Sequence, residues 1–187
     1  MRDDEALAIL SRFYDPVSRA FALLKTHGEL VADKALAAAA RVGHLQPDLG
    51  FIRSAALLHD IGIFLTRCPG LGCHGTEPYV RHGILGRDIL DGLGLPCHAL
   101  VCERHVGAGI SAAEVRRFDL PLPVRDMLPV SIEEQLVCYA DKFFSKNGSG
   151  EACEKSVADI VVGLRAHGEE QVARFLGWVE RFGDAPG

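Results

Sequence analysis

The stretch Ile52-Arg53-Ser54-Ala55-Ala56-Leu57-Leu58-His59-Asp60-Ile61-Gly62-Ile63 decides how this chain is read. An apolar run without convincing strand alternation carries straight into His59-Asp60 and then into a glycine. Placing an ionisable pair beside Leu57, Leu58, Ile61 and Ile63 costs free energy unless something pairs with it. A metal cation is one such partner, because it stabilises a carboxylate and a neutral imidazole together. The stretch therefore reads as a helix ending in half of a metal centre, whose remaining ligands come from elsewhere in the chain.

Toward the N-terminus, Pro47-Asp48 opens this helix. Before it, Glu29 to Val42 is alanine-rich and strongly helix-forming, and Gly43 is placed to stop it. Lys25-Thr26-His27-Gly28 reads as a break, preceded by Val17, Ala20, Phe21 and Leu24 at helical spacing after Pro16. Asp3 or Asp4 is placed to cap a first helix with Leu7, Ile9, Leu10 and Phe13.

Toward the C-terminus, residues 66–77 hold three glycines and a proline and read as a loop, a length that often lies over a functional site. A helix from about Pro78 to Asp91 carries His82, and one from Pro96 to about Val106 carries His105 in its last turn. A second loop, 119–130, contains three prolines; Ser131 and Glu134 then mark a helix start, and that helix carries Asp141. After Asn147-Gly148-Ser149-Gly150, helices are expected near 151–166 and 169–182. Their apolar stripes, Val157, Ile160, Val161 and Leu164 in one and Val172, Phe175, Leu176 and Val179 in the other, read most simply as core. An oligomer surface, such as a homodimer, is the alternative. The expected fold is all-α and a single domain over 1–187, with the metal-binding core at about 20–147 and a helical extension at about 151–183.

The 187 residues suffice for a domain with its own core, and 48% hydrophobic with 24% charged residues marks a globular chain. A net charge of −5 argues against coating a nucleic acid polymer through a broad basic face. No apolar segment approaches the roughly 20 residues that cross a bilayer, and Met1–Glu5 is acidic, without the basic region of a signal peptide. The expected compartment is therefore the cytoplasm, where Cys68, Cys73, Cys97, Cys102, Cys138 and Cys153 stay reduced. Cys68 and Cys73 flank a glycine-rich loop ending at His74, which leaves a metal or redox role there as a lesser reading.

His27, His59, His82, His105, Asp60 and Asp141 together suit iron, manganese, zinc or similar ions. Six such donors exceed the need of one ion and are about right for two, with Asp60 able to bridge through its two oxygens. His44 and His167, beside glycines at helix ends, and His74 and His98 read as non-ligands, with an approach to the site from the loop open for His74 and a supporting role behind the ligands open for His98.

This ordered set resembles the HD-domain superfamily of metal-dependent phosphohydrolases, in particular its His-Asp-Ile-Gly (HDIG) subgroup. The resemblance runs from His27-Gly28-Glu29-Leu30 through Ala55–Gly62, His82-Gly83, and Glu103–Gly109 to Tyr139-Ala140-Asp141-Lys142, about two thirds of the chain. It implies one metal on His27, His59, Asp60 and Asp141, and a second on His82 and His105, with Asp60 bridging. The extra histidines are similar to the dinuclear branches, including bacterial hydrolases of symmetrical dinucleoside tetraphosphates. Val106 follows His105 where the cyclic-di-GMP phosphodiesterases have a second histidine, and their glycine-tyrosine-proline signature is absent, which sets that substrate aside.

The implied activity is hydrolysis of a phosphate ester or anhydride of a small molecule, a nucleotide foremost, by a metal-activated hydroxide, with Asp60 and His59 at the reaction centre. Iron is the first expectation for the metal; manganese, zinc, nickel and magnesium are alternatives. Lys142 is the first candidate for a phosphoryl contact, followed by Arg104, Arg67 and the backbone N–H groups of Gly107 to Gly109. The same fold also hosts di-iron oxygenases, and a non-catalytic metal- or nucleotide-binding regulatory module is the third reading.

Overall fold

The structure, a computed structural model, describes residues 1–146 and 154–183. The expected linker at 147–150, Cys153 and the start of the helix expected near 151 lie outside the described residues. Nine α-helices occur among the described residues: α1 Asp3–Leu10, α2 Arg19–Arg41, α3 Leu49–Leu58, α4 His82–Gly92, α5 Pro96–Arg104, α6 Ala112–Arg117, α7 Ile132–Asp141, α8 Val157–Arg165 and α9 Glu169–Phe182. The fold is all-α, as expected.

α2 is the central rod. The break expected at 25–28 does not occur; the helix passes straight through Gly28. Space explains the glycine: a Cβ there would sit 3.0 Å from the Leu57 Cα and 3.1 Å from the Ala56 carbonyl oxygen. The absent side chain lets α3 press against α2 beside His27. Further along, Val31, Ala32, Ala35, Ala38 and Ala39 are buried, so α2 is thin enough for α3 and α7 to flank it closely. Ser18 caps α2, Asp48 caps α3 and Ser131 caps α7, each accepting a backbone N–H with its side chain.

The C-terminal pair belongs to the same core. Ile160, Leu164, Val172, Phe175, Trp178 and Phe182 pack into the cluster that holds the alanines of α2 and Leu136, Val137 and Phe143. Leu176 is the exception and stays exposed. A second cluster joins α1 to Leu57, Leu58, Ile61, Ile63 and Leu90.

Several local expectations differ from the structure. Asp3 is the first residue of α1 and the cap is Arg2. The 66–77 loop contains a two-residue antiparallel hairpin, β1 Arg67–Cys68 against β2 Cys73–His74, so strand is not wholly absent. The helix expected from Pro78 starts as a 3-10 turn, Tyr79–Arg81, and becomes α-helical at His82. α5 ends at Arg104, leaving His105 as its cap, and α8 starts at Val157, after Ser156. The short α6, not among the expected helices, has a full capping box from Ser111 and Glu114.

Candidate metal centre

Four helix ends converge. His27 comes from the middle of α2, His59 caps the end of α3, His82 begins α4, and His105 caps the end of α5. Asp60 follows His59 and opens the 3-10 turn Ile61–Leu65; Asp141 closes α7. Tyr14 ties down that turn: its hydroxyl donates to the Ile61 carbonyl (3.0 Å) and accepts from the Phe64 amide (2.9 Å). Gly62 lets the turn lie on α4, since a Cβ would meet the His82 carbonyl oxygen at 2.3 Å and the Gly86 nitrogen at 2.4 Å.

All six side chains are buried. Asp60 divides them. Its Oδ2 lies 3.2 Å from His59 Nε2 and 3.6 Å from His27 Nε2. Its Oδ1 lies 3.5 Å from His82 Nε2 and 3.4 Å from His105 Nε2. Asp141 Oδ1 completes the first side, 2.9 Å from His27 Nε2 and 3.3 Å from His59 Nε2. Neither oxygen of buried Asp60 has a hydrogen-bond partner, although Lys146 Nζ stands 2.8 Å from Oδ2 as an ion pair.

Backbone carbonyls set the histidine tautomers. His59 Nδ1–H donates to the Ala56 carbonyl (2.6 Å), His82 Nδ1–H to Tyr79 (2.7 Å) and His105 Nδ1–H to Cys102 (2.8 Å). In the neutral ring Nε2 then carries a lone pair. His82 and His105 point those lone pairs at each other across 3.0 Å, and His27 and His59 Nε2 are 3.3 Å apart. Two acceptors at such a distance repel unless a cation or proton stands between them. Burial lowers the His82 pKa to about 3, with His105 adding to the effect, and burial lowers His105 as well. A proton is therefore a poor partner for that pair, and a metal ion fits. Burial, with Lys146, takes His27 to about 4. For His59 burial acts the same way, but Asp60 and Asp141 outweigh it and raise its pKa to about 9. Burial opposes ionisation of the carboxylates, yet His59 and Lys146 hold Asp60, and Lys142 and Lys146 hold Asp141, well below the usual range.

One wall of the approach to these groups is cationic. Lys142 Nζ lies 2.9 Å from Asp141 Oδ2 and donates to the His105 carbonyl (3.2 Å). Lys146, not among the expected site residues, pairs with Asp60 and lies 3.6 Å from Asp141 Oδ1. Both border a cleft of about 570 Å³ together with Lys155, Tyr79, Leu71 and Cys68. The spacing of Lys146, four residues after Lys142, was the available signal for it.

The other substrate candidates lie differently. Arg104 Nη1 is held by both carboxylate oxygens of Glu134, at 3.0 and 2.8 Å, which commits its charge there. The Ala108 amide donates to Gln171 and the Gly109 amide to the Val106 carbonyl, so those two N–H groups are not free for a phosphate. Gly107 lines a separate, mainly apolar cavity of about 320 Å³. Arg67 is exposed on β1. Cys68 and Cys73 face each other across the hairpin and, like the other cysteines among the described residues, are free thiols. The metal-capable triads among the described residues, His27 with His59 and Asp141, and His59 with Asp60 and His105, include neither cysteine nor His74. His98 is buried elsewhere, its Nε2 2.9 Å from Ser54 Oγ.

The HD domain family model matches residues 24–145, which contain all six convergent side chains. The chain belongs to the HD domain family. Among curated relatives, an uncharacterized protein of Methanocaldococcus jannaschii, MJ0778, is 42% identical over 95 residues, half of this chain and 48% of that protein. A tRNA (cytidine(56)-2'-O)-methyltransferase of Thermoplasma volcanium is 30% identical over 160 residues, 85% of this chain and 41% of that protein. The chain thus spans less than half the length of these relatives. Among solved structures, the HD domain of the Listeria monocytogenes phosphodiesterase PgpH shares the fold at a TM-score of 0.54 and 15% identity, covering 94% of this chain and 87% of that one. The same PgpH domain in complex with cyclic-di-AMP aligns at 0.54 and 16% identity, over 95% and 86% of the two chains.

No helix among the described residues is long and apolar enough to cross a membrane.

Proposed function

We propose that this HD domain is a metal-dependent phosphohydrolase that cleaves a small phosphate ester or anhydride, with a nucleotide as the leading substrate class. One observation carries the reading: Asp60 presents one oxygen to His27 and His59 and the other to His82 and His105, whose lone pairs face each other. His27, His59, Asp60 and Asp141 would hold one ion, His82 and His105 the other, with Asp60 shared. Two bound divalent ions supply Lewis acidity and an activated water at neutral pH.

The remaining roles belong to the chain. The Nδ1–H bonds to backbone carbonyls aim the imidazoles and fix their tautomers. Lys142 and Lys146 border the cleft and are released to take phosphoryl oxygens when their partners Asp141 and Asp60 engage metal ions; a largely buried ammonium stabilises charge that grows as the bond to the leaving group breaks. Leu71 and Tyr79 offer an apolar and aromatic surface for the organic part of the substrate. The PgpH neighbour, solved with cyclic-di-AMP, puts cyclic dinucleotides on the substrate panel beside linear nucleotides. The methyltransferase relative takes its name from a protein more than twice the matched length, and an imidazole–carboxylate cluster is not what methyl transfer needs.

The test is metal content per chain after anaerobic purification, followed by phosphate release from a nucleotide panel without oxygen. About two equivalents of metal and anaerobic turnover are expected, both lost in Asp60→Ala. Turnover that requires and consumes O₂ would replace hydrolysis with the oxygenase reading. Metal retention without turnover across the panel would favour a regulatory module.

A further inference from the structure

The His105 turn is built by a helix outside the matched family region. After His105 the chain runs through Val106–Gly109 with no regular element of its own, and Gly107 (φ 62°) and Gly109 (φ 79°) both adopt left-handed backbone. Such a turn has much conformational freedom to lose. α9 removes it. Gln171 Oε1 accepts from the Ala108 amide (2.5 Å), and Gln171 Nε2 donates to the Gly109 carbonyl (2.9 Å). One turn along, Arg174 Nε donates to the Ala108 carbonyl (2.9 Å) and Nη2 to the Gly109 carbonyl (2.7 Å). Glu114 of α6 braces both: Arg174 Nη2 lies 2.8 Å from its Oε1, and Gln171 Nε2 lies 3.0 Å from the same oxygen. Gln171 and Glu114 are each 3% exposed. The fit is close, since a Cβ on Gly107 would stand 2.6 Å from Gln171 Oε1.

We infer that Gln171 and Arg174, braced by Glu114, are positioning residues for the second metal position, setting His105 through the Ala108–Gly109 backbone. The inference rests on the two-ion reading above. His27, His59 and Asp141 are anchored by α2, α3 and α7, so the first position does not depend on this clamp. His82 is fixed by the start of α4, whereas His105 caps the end of α5 and its backbone continues directly into the left-handed Gly107–Gly109 turn that the clamp holds. Without the clamp, binding of the second ion has to order the turn, and its affinity falls by that cost.

The experiment titrates the metal-free 187-residue chain with manganese, following free Mn²⁺ by electron paramagnetic resonance, and records thermal unfolding of each variant. Gln171→Leu and Arg174→Met are compared with Phe175→Leu, which weakens the packing of α9 on Tyr139 and Phe143 and leaves the hydrogen-bonding side chains of Gln171 and Arg174 in place. Expected is a wild-type chain with two sites. In the clamp variants the second dissociation constant should rise roughly 10- to 100-fold, as for other outer-shell changes, and the first should move less than about twofold. Phe175→Leu should lower Tm yet keep both constants. Two clamp variants with wild-type affinity at both sites would overturn the inference, as would Phe175→Leu losing the second ion equally. A wild-type chain that binds a single ion overturns the dinuclear reading instead, a distinct result.

Discussion

His82 and His105 face each other through Nε2 atoms 3.0 Å apart, while each gives its Nδ1–H to a backbone carbonyl three residues earlier. Neither ring has a proton to offer the other, and burial resists adding one. The pair is therefore an arrangement that a cation relieves.

His82→Ala removes one of these donors and leaves His27, His59, Asp60 and Asp141 untouched. Metal content should fall from about two equivalents to about one, read by elemental analysis of anaerobically prepared protein. Unchanged content would contradict the assignment of His82 to a second ion.

Lys146→Gln removes the ammonium 2.8 Å from Asp60 while keeping a side chain of similar reach. With Lys146 as a phosphoryl contact, kcat/KM should drop roughly 100-fold, with metal content unchanged. Parallel steady-state kinetics and metal analysis separate this from a loss of the centre itself.

Gly62→Ala inserts a methyl group 2.3 Å from the His82 carbonyl oxygen and 2.4 Å from the Gly86 nitrogen, both backbone atoms that cannot swing aside. Overpacking of this kind costs about 1–3 kcal/mol. Thermal unfolding should show a Tm lower by several degrees.

His98 sets an acid limit on stability. Burial, with a smaller push from the chain's N-terminal ammonium, lowers its pKa from 6.5 to about 4; its ring meets Ser54 Oγ and the edge of Phe51. In the unfolded chain the ring takes a proton below its ordinary pKa, whereas in the fold it stays neutral until about pH 4. Stability therefore declines as pH falls through this window, by on the order of 3 kcal/mol in all, and this contribution levels off below it. His98→Asn should flatten that part of a urea-unfolding profile measured between pH 7 and 4.

Much of the centre was legible because its chemistry is local. His59-Asp60 follows an apolar run, His105 falls in the last turn of a helix that glycines follow, and His82 and Asp141 lie on helices whose starts Pro78 and Ser131 suggest. The structure brings those four elements and His27 together, each group within 3.2 Å of another of the set. The misreadings concern groups whose role depends on a neighbour distant in sequence. Gly28 read as a helix break because a glycine's local propensity is poor; only the approach of Leu57 explains it. Arg104, next to a histidine, read as a phosphate contact, but Glu134 lies 30 residues away and claims it. Gln171 and Arg174 look like the polar face of an amphipathic helix until that face is seen against the His105 turn.

The sequence by itself determined an all-α chain, the donor types and their order, because helix periodicity, caps and ligand chemistry are carried by residues close together. Tertiary structure alone decided which oxygen of Asp60 faces which histidines, that Lys146 joins Lys142 at the cleft, and which helix holds the turn after His105. Those are distances between segments up to 114 residues apart, such as His27 and Asp141, and they are set by how side chains fill the space between helices.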